Sequence, residues 1–298
     1  MEYDNPPMRI ETRLYSAVPE DLRRGVVTEW SRANKKGEAV DCFLEGPCLD
    51  DAGNLYLVDV PHGRIFRVSP RKEWSVIAEY DGEPNGLVLH PEGDRLVITD
   101  YKQGLLWLDL RGGQPEPFLT RRNSERFKGP NDLVFAGNGD LYFTDQGQTG
   151  LHDPTGRVFR LTPQGRLDCL LSNGPSPNGL VLSPKEDVLF VAMTRDNSVW
   201  RLPLLPDGSA AKVGRFASFH GVSGPDGMAM DEAGRLFVAH ASRSCVFVLS
   251  AQADVVARLV SCRGHTVTNL LLDGKRALIT ESHSGSVLEA DIESLPPP

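Results

Sequence analysis

A chain of 298 residues, 40% apolar and 24% charged, has the composition of an ordinary globular protein. Its 32 basic against 40 acidic residues leave a net charge of −8, which argues against a nucleic-acid partner held by an overall basic surface. No run approaches the ~18 apolar residues of a membrane span, and five cysteines at irregular spacing make no disulfide framework, so a cytoplasmic protein with reduced thiols is expected.

The first 35 residues are polar, with no basic segment followed by an apolar run, and read as an irregular extension packed outside the fold. From Glu38 onward a phrase recurs. A Pro-Asn-Gly-like turn leads into an apolar strand, a small turn and a second apolar strand. The copies are Glu45-Gly46-Pro47, Pro84-Asn85-Gly86, Pro130-Asn131-Asp132, Pro177-Asn178-Gly179, Pro225-Asp226-Gly227 and Thr268-Asn269. With Thr268 in the place of proline, the intervals are 37, 46, 47, 48 and 43 residues.

The second strands, such as Leu55–Asp59, Arg95–Asp100 and Leu141–Asp145, are near-continuous β-branched and aromatic runs, suited to burial on both faces. Third strands alternate more clearly, and Arg64, Arg67, Arg157 and Arg160 are expected to lean toward solvent. A weaker outer segment follows in most units, but none follows the third strand of the sixth. Six such units predict an all-β, six-bladed β-propeller with four-stranded blades, forming one domain over residues 1–298. The last blade is expected to be closed by an N-terminal strand, for which Glu38–Phe43 is the candidate.

In such a ring, a polar residue before each innermost strand is aimed at a shared axial point. The repeat supplies Glu45, Asn85, Asn131, Asn178, Asp226 and Asn269. Asn-Gly and Asp-Gly are also ordinary turn formers. As a set, two carboxylates and several amides are costly to bury together without a cation, and an all-oxygen shell suits a hard divalent ion. Glu45, Asn131, Asn178 and Asp226 are the candidate metal ligands. Asn85, Asn131 and His240, which ends a second strand, are candidate substrate contacts. No GxSxG or HExxH motif is present, and the seven histidines lack zinc-ligand spacing. The basic run Arg121–Lys128 stands just before Asn131, as a solvated loop or a lip over the channel.

The phrases Phe43-Leu44-Glu45-Gly46-Pro47, Pro84-Asn85-Gly86-Leu87, Gly129-Pro130-Asn131-Asp132-Leu133, Leu141-Tyr142-Phe143-Thr144-Asp145, Pro177-Asn178-Gly179-Leu180 and Gly224-Pro225-Asp226-Gly227-Met228 resemble the SMP-30/gluconolactonase/LRE-like family, within the calcium-dependent phosphotriesterase superfamily. The resemblance covers roughly residues 38–292. It implies a metal-dependent lactonase acting on a small molecule, with Glu45, Asn178 and Asp226 as constant ligands to one divalent metal. Asn131 would be a fourth ligand or a substrate-binding neighbour. Ca²⁺ is expected first, with Mg²⁺, Mn²⁺, Zn²⁺ or Fe²⁺ as alternatives. Asp226 would accept a proton from the attacking water or orient it, with Asn131 as the second catalytic residue. A sugar lactone is the expected substrate and a monomer or weak homo-oligomer the expected state. Some sugar-lactonase members carry an arginine where this chain has Gly129. The alternatives are a phosphotriesterase- or arylesterase-like hydrolase, and a non-catalytic propeller that binds a ligand or protein.

Overall fold

The computed structural model describes residues 6–296. Six antiparallel sheets are arranged in a ring, each innermost strand touching the next and the sixth touching the first. In the first five blades the chain runs outward from the axis. Blade one is Leu44–Leu49, Leu55–Asp59, Arg64–Val68 and Trp74–Glu79. The innermost strands of blades two to six are Pro84–Leu89, Pro130–Phe135, Pro177–Leu182, Pro225–Met230 and Val267–Asp273. Their neighbours, Arg95–Asp100, Leu141–Asp145, Val188–Met193, Leu236–His240 and Arg276–Glu281, are buried along nearly their whole length. The core is therefore a set of apolar layers between blades rather than one central mass. For example, Phe237, Val246 and Val248 of blade five face Ala277, Ile279 and Leu288 of blade six. Among the described residues no helix is long and apolar enough to cross a membrane.

The ring is closed by an N-terminal strand, but not the expected one. Arg13–Ala17 pairs antiparallel with Ser286–Asp291 and completes blade six, with Leu14 opposite Leu288 and Ala17 opposite Ser286. Tyr15 anchors it, buried with Val18, Cys42, Leu278 and Val287. Glu38–Phe43 forms no strand and makes only an isolated bridge, Val26 to Val40; its charged residues Glu38 and Asp41 lie in solvent. Residues 8–34 are also more regular than expected. Met8–Glu11 adds a parallel fifth strand to blade five. Glu29–Asn34 is a short helix started by a Thr28–Ser31 capping box.

Three of the four arginines expected in solvent fold back instead. Arg64, Arg157 and Arg160 pair with the second-strand or turn carboxylates Asp59, Asp145 and Asp140, and only Arg67 is exposed. Arg64 is fully buried, places Nε 2.9 Å and Nη2 2.5 Å from Asp59 Oδ2, and donates through Nη1 to the carbonyl of Leu22. Removing one partner of such a pair strands a charge in a low-dielectric interior. Arg64→Ala is expected to lower unfolding stability by about 3–5 kcal/mol in a denaturant titration. A loss within ~0.5 kcal/mol, as at an ordinary surface site, would show that the pair contributes nothing.

Candidate metal and active site

Strand register fixes the level of each axial residue. Leu44, Pro84, Pro130, Pro177, Pro225 and Val267 pair with the last residue of the second strand in their own blades. The next residue in each blade forms one tier around the axis: Glu45, Asn85, Asn131, Asn178, Asp226 and Thr268. Asn269 therefore does not belong to this tier, contrary to the alignment that set Thr268 in the place of proline. It lies one residue deeper, level with Asp132: its N–H donates to Thr280 as that of Asp132 does to Thr144 and that of Gly86 to Thr99.

The lower tier is glycine in four blades and carries side chains only in blades three and six, which face each other across the ring. Asp132 and Asn269 thus meet near the axis, and the glycines leave them room. A Cβ on Gly86 would come within 2.9 Å of Asp132 Oδ1, and one on Gly227 within 2.0 Å of Asn269 Oδ1. The Asn269 amide also stands against Glu45, favouring the ionised form of both Glu45 and Asp132. Asp132 was not among the residues singled out in the sequence. Its signal was an aspartate where the other Pro-Asn or Pro-Asp turns continue with glycine.

Glu45, Asp132 and Asp226 are all buried. Burial, then the charges of Asp226 and Asp132, hold the proton on Glu45 well above the usual carboxylate range. Burial, then Asp132, raises Asp226 in the same way, partly offset by the Asn178 amide. Burial pushes Asp132 up to about 6. Three carboxylates close enough to oppose one another's ionisation need a cation or protons.

Asn131 supplies an independent sign. Its Nδ2 donates to Gln146 Oε1 at 2.9 Å, and Gln146 Nε2 donates to Ser176 Oγ at 2.9 Å, beside the turn bearing Asn178. Asn131 Oδ1 is left buried with no hydrogen-bond partner, which costs about 1–3 kcal/mol unless a ligand meets it. Hydroxyls lock the tier in place between blades. Thr99 donates to the carbonyl of Asn131 at 2.5 Å, Thr144 to that of Asn178 at 2.7 Å, Thr194 to that of Pro225 at 2.8 Å, and Ser282 to that of Leu44 at 2.6 Å. Blades two, three, four and six thus each fix the axial residue of the next blade, or its immediate neighbour.

Other residues approach from the rim. Lys35, just after the short helix, holds Nζ 4.9 Å from the Phe43 ring centre and 5.9 Å from that of Trp30. Burial lowers its proton affinity, and the charge of Asp226 partly restores it. Asn85 is half-buried in the upper tier. His240 is not on the channel wall. It is fully buried between Phe219 and Phe247, neither ring nitrogen finds a partner, and burial pushes its pKa down to about 4. Its position in the second strand is held in four blades by Asp59, Asp100, Asp145 and Glu281, which accept hydrogen bonds from nearby loop N–H groups. The arginine expected of some sugar lactonases has no room here, because a Cβ on Gly129 would lie 2.4 Å from the Tyr101 ring. Among the described residues, His90, Glu92 and Asp94 also bring three ligand-type atoms together. They lie in the turn at the far end of blade two's innermost strand, away from the axial residues.

The axial donors are carboxylate and amide oxygens, three carboxylates repel, and one amide oxygen lacks a partner. That set fits a hard divalent cation such as Ca²⁺. Known proteins share this sequence pattern and this fold. The sequence model of the SMP-30/Gluconolactonase/LRE-like region matches residues 43–283. A gluconolactonase of Zymomonas mobilis is 28% identical over 275 residues, 81% of this chain and 77% of that protein. The lactonase drp35 of Staphylococcus aureus is 28% identical over 276 residues, covering 87% and 82%. Among solved structures, a gluconolactonase from Xanthomonas campestris superposes with a TM-score of 0.75 at 23% identity, covering 95% of this chain and 99% of the other. Regucalcin from Agrobacterium tumefaciens, described as a calcium-binding protein, gives 0.74 at 17% identity, covering 98% and 99%. At these identities the two structures speak for the fold.

Proposed function

The chain belongs to the SMP-30/gluconolactonase/LRE-like family, and on that premise we propose that it is a metal-dependent hydrolase that opens a small lactone, a sugar-derived one first. The observation that carries this is the pairing of mutually repelling buried carboxylates with the partnerless Oδ1 of Asn131. The names of the relatives, a gluconolactonase and a lactonase, support the reaction class, and the calcium-binding relative supports the cation.

Glu45, Asn131, Asn178 and Asp226 would hold the ion. A divalent cation at this point would supply a Lewis acid for the lactone carbonyl and a counter-charge for the oxyanion that develops in the transition state. Gln146 engages the amide nitrogen of Asn131, which leaves Oδ1 rather than a donor without a partner. That favours Asn131 as a ligand over a hydrogen-bond donor to substrate. Asp226 takes a proton from the attacking water and returns it to the ring oxygen as the acyl C–O bond breaks. Hydroxyl and carboxylate then leave on one product. Asn85 and Lys35 stand where the rest of the substrate would lie. Five unpaired cysteines support a reducing, cytoplasmic setting, and the closed ring supports a single domain acting as a monomer or weak homo-oligomer.

Acid release should be followed with aldonolactones, simple γ- and δ-lactones, an aryl ester and a phosphotriester, before and after chelation. Lactone turnover that is lost to chelator and restored by Ca²⁺ is expected. Chelator-resistant turnover, or none on any lactone, would count against the proposal. A preference of 10² or more for the phosphotriester, about 2.7 kcal/mol of transition-state binding, would replace the lactone as substrate.

A further inference from the structure

The basic run before Asn131 is neither a loose loop nor part of the axial set. Arg121–Arg122 and Glu125–Arg126 form a two-stranded ribbon, turned at Asn123 with a positive φ of 55°. The register sets Arg121 directly opposite Arg126 and Arg122 opposite Glu125. Directly opposed residues share a face. Arg121 and Arg126 both line a pocket of about 200 Å³ with Tyr101, Lys102, Thr120 and Phe127, while Arg122 turns away to lie over the Phe159 ring. Opposed like charges on a ribbon are unfavourable. Lys102 is already engaged by Glu29, Asp81 and Glu83. Neither Arg121 nor Arg126 has a side-chain hydrogen bond or ion pair among the described residues.

We propose that this pocket is an oxyanion subsite, in which the guanidinium groups of Arg121 and Arg126 grip a phosphate or carboxylate group. Ten N–H donors on two planar forks suit such an anion, which also cancels the repulsion across the ribbon. The pocket adjoins the channel. Tyr101, one of its walls, packs on Gly129, two residues before Asn131. The anion is then either an acidic substituent of the lactone or a free ion. Only the first of these rests on the lactonase reading; anion binding does not.

The test is calorimetric titration of inorganic phosphate into the full chain in chloride buffer, both chelator-treated and Ca²⁺-loaded. Saturable binding in both states is expected, weakened at least tenfold in R121Q/R126Q. That variant should keep its circular dichroism and thermal midpoint, since the two charges it removes repel. No saturable binding, binding only with Ca²⁺ present, or equal binding by the double variant would overturn the subsite. Inhibition assays then separate the two sources. Phosphate competing against a carboxylate-bearing lactone but not a neutral one assigns the anion to the substrate. Competition against neither makes it a free ligand of the same pocket. Equal inhibition of neutral lactone hydrolysis in wild type and double variant places phosphate on the axial site and overturns the inference.

Discussion

Asp226→Asn is expected to lower kcat/KM for lactone hydrolysis by about 10³-fold or more, to remove the bound metal, and to make the metal-free protein more stable. The first two effects share one cause. The substitution takes a charged oxygen from the proposed four-oxygen shell and the proposed proton acceptor from the water, and losing a single well-aimed electrostatic contact alone costs about 10²–10³ in rate. The third has the opposite sign because Glu45, Asp132 and Asp226 are buried and each opposes the ionisation of the others. An amide of the same shape relieves that repulsion once no cation balances it. Metal content by elemental analysis, steady-state kinetics and thermal melts in chelator read the three effects separately. Full metal content with near-normal turnover would remove Asp226 from the site. A metal-free variant less stable than metal-free wild type would show that the carboxylates are not the source of strain. Metal at 100 times its dissociation constant should stabilise wild type by about 2.7 kcal/mol, and the variant much less.

Much of this architecture was legible because the repeat writes one blade per phrase, and the axial residue stands in the same place in most copies. Glu45, Asn131, Asn178 and Asp226 follow from that spacing. Asn269 was misplaced by one level, because the last copy lacks the proline and the innermost strands bulge just after the marker. An alignment by turn residues slips where strand register does not. Asp132 was passed over for the converse reason: it breaks the Asn-Gly pattern, and a search for what repeats ignores the exception. The environment of His240 could not be read from the chain, since the strand-end position it occupies is a loop-binding carboxylate in four other blades and an apolar niche here. Arg64, Arg157 and Arg160 looked solvated because alternation tells which face a side chain takes, not whether the neighbouring strand offers a carboxylate beneath it.

The closing strand was the largest miss, and it carries the other large effect. Deleting residues 8–17 is expected to leave the protein aggregated or largely unfolded. Two sheet edges would open together: Ser286–Asp291 of blade six would lose its antiparallel partner, and Val255–Val260 of blade five its parallel one. Unpaired edges of this length are templates for pairing between chains. The strand also joins first blade to last, because Ser16 Oγ accepts a hydrogen bond from Trp74 Nε1 of blade one at 2.8 Å. Point variants separate the strand's pairing from its packing. Tyr15 is buried among Cys42, Leu278 and Val287, so Tyr15→Ala should cost about 3–5 kcal/mol, as large-to-small changes of buried aromatic residues do. Leu14, adjacent but exposed, should cost no more than about 0.5 kcal/mol as Leu14→Ala. Urea unfolding of both, with light scattering on the deletion, makes the comparison. A monomeric deletion protein that unfolds at the wild-type midpoint would mean that blade six holds its place without its fourth strand, and the ring would have to be closed by packing between the innermost strands alone.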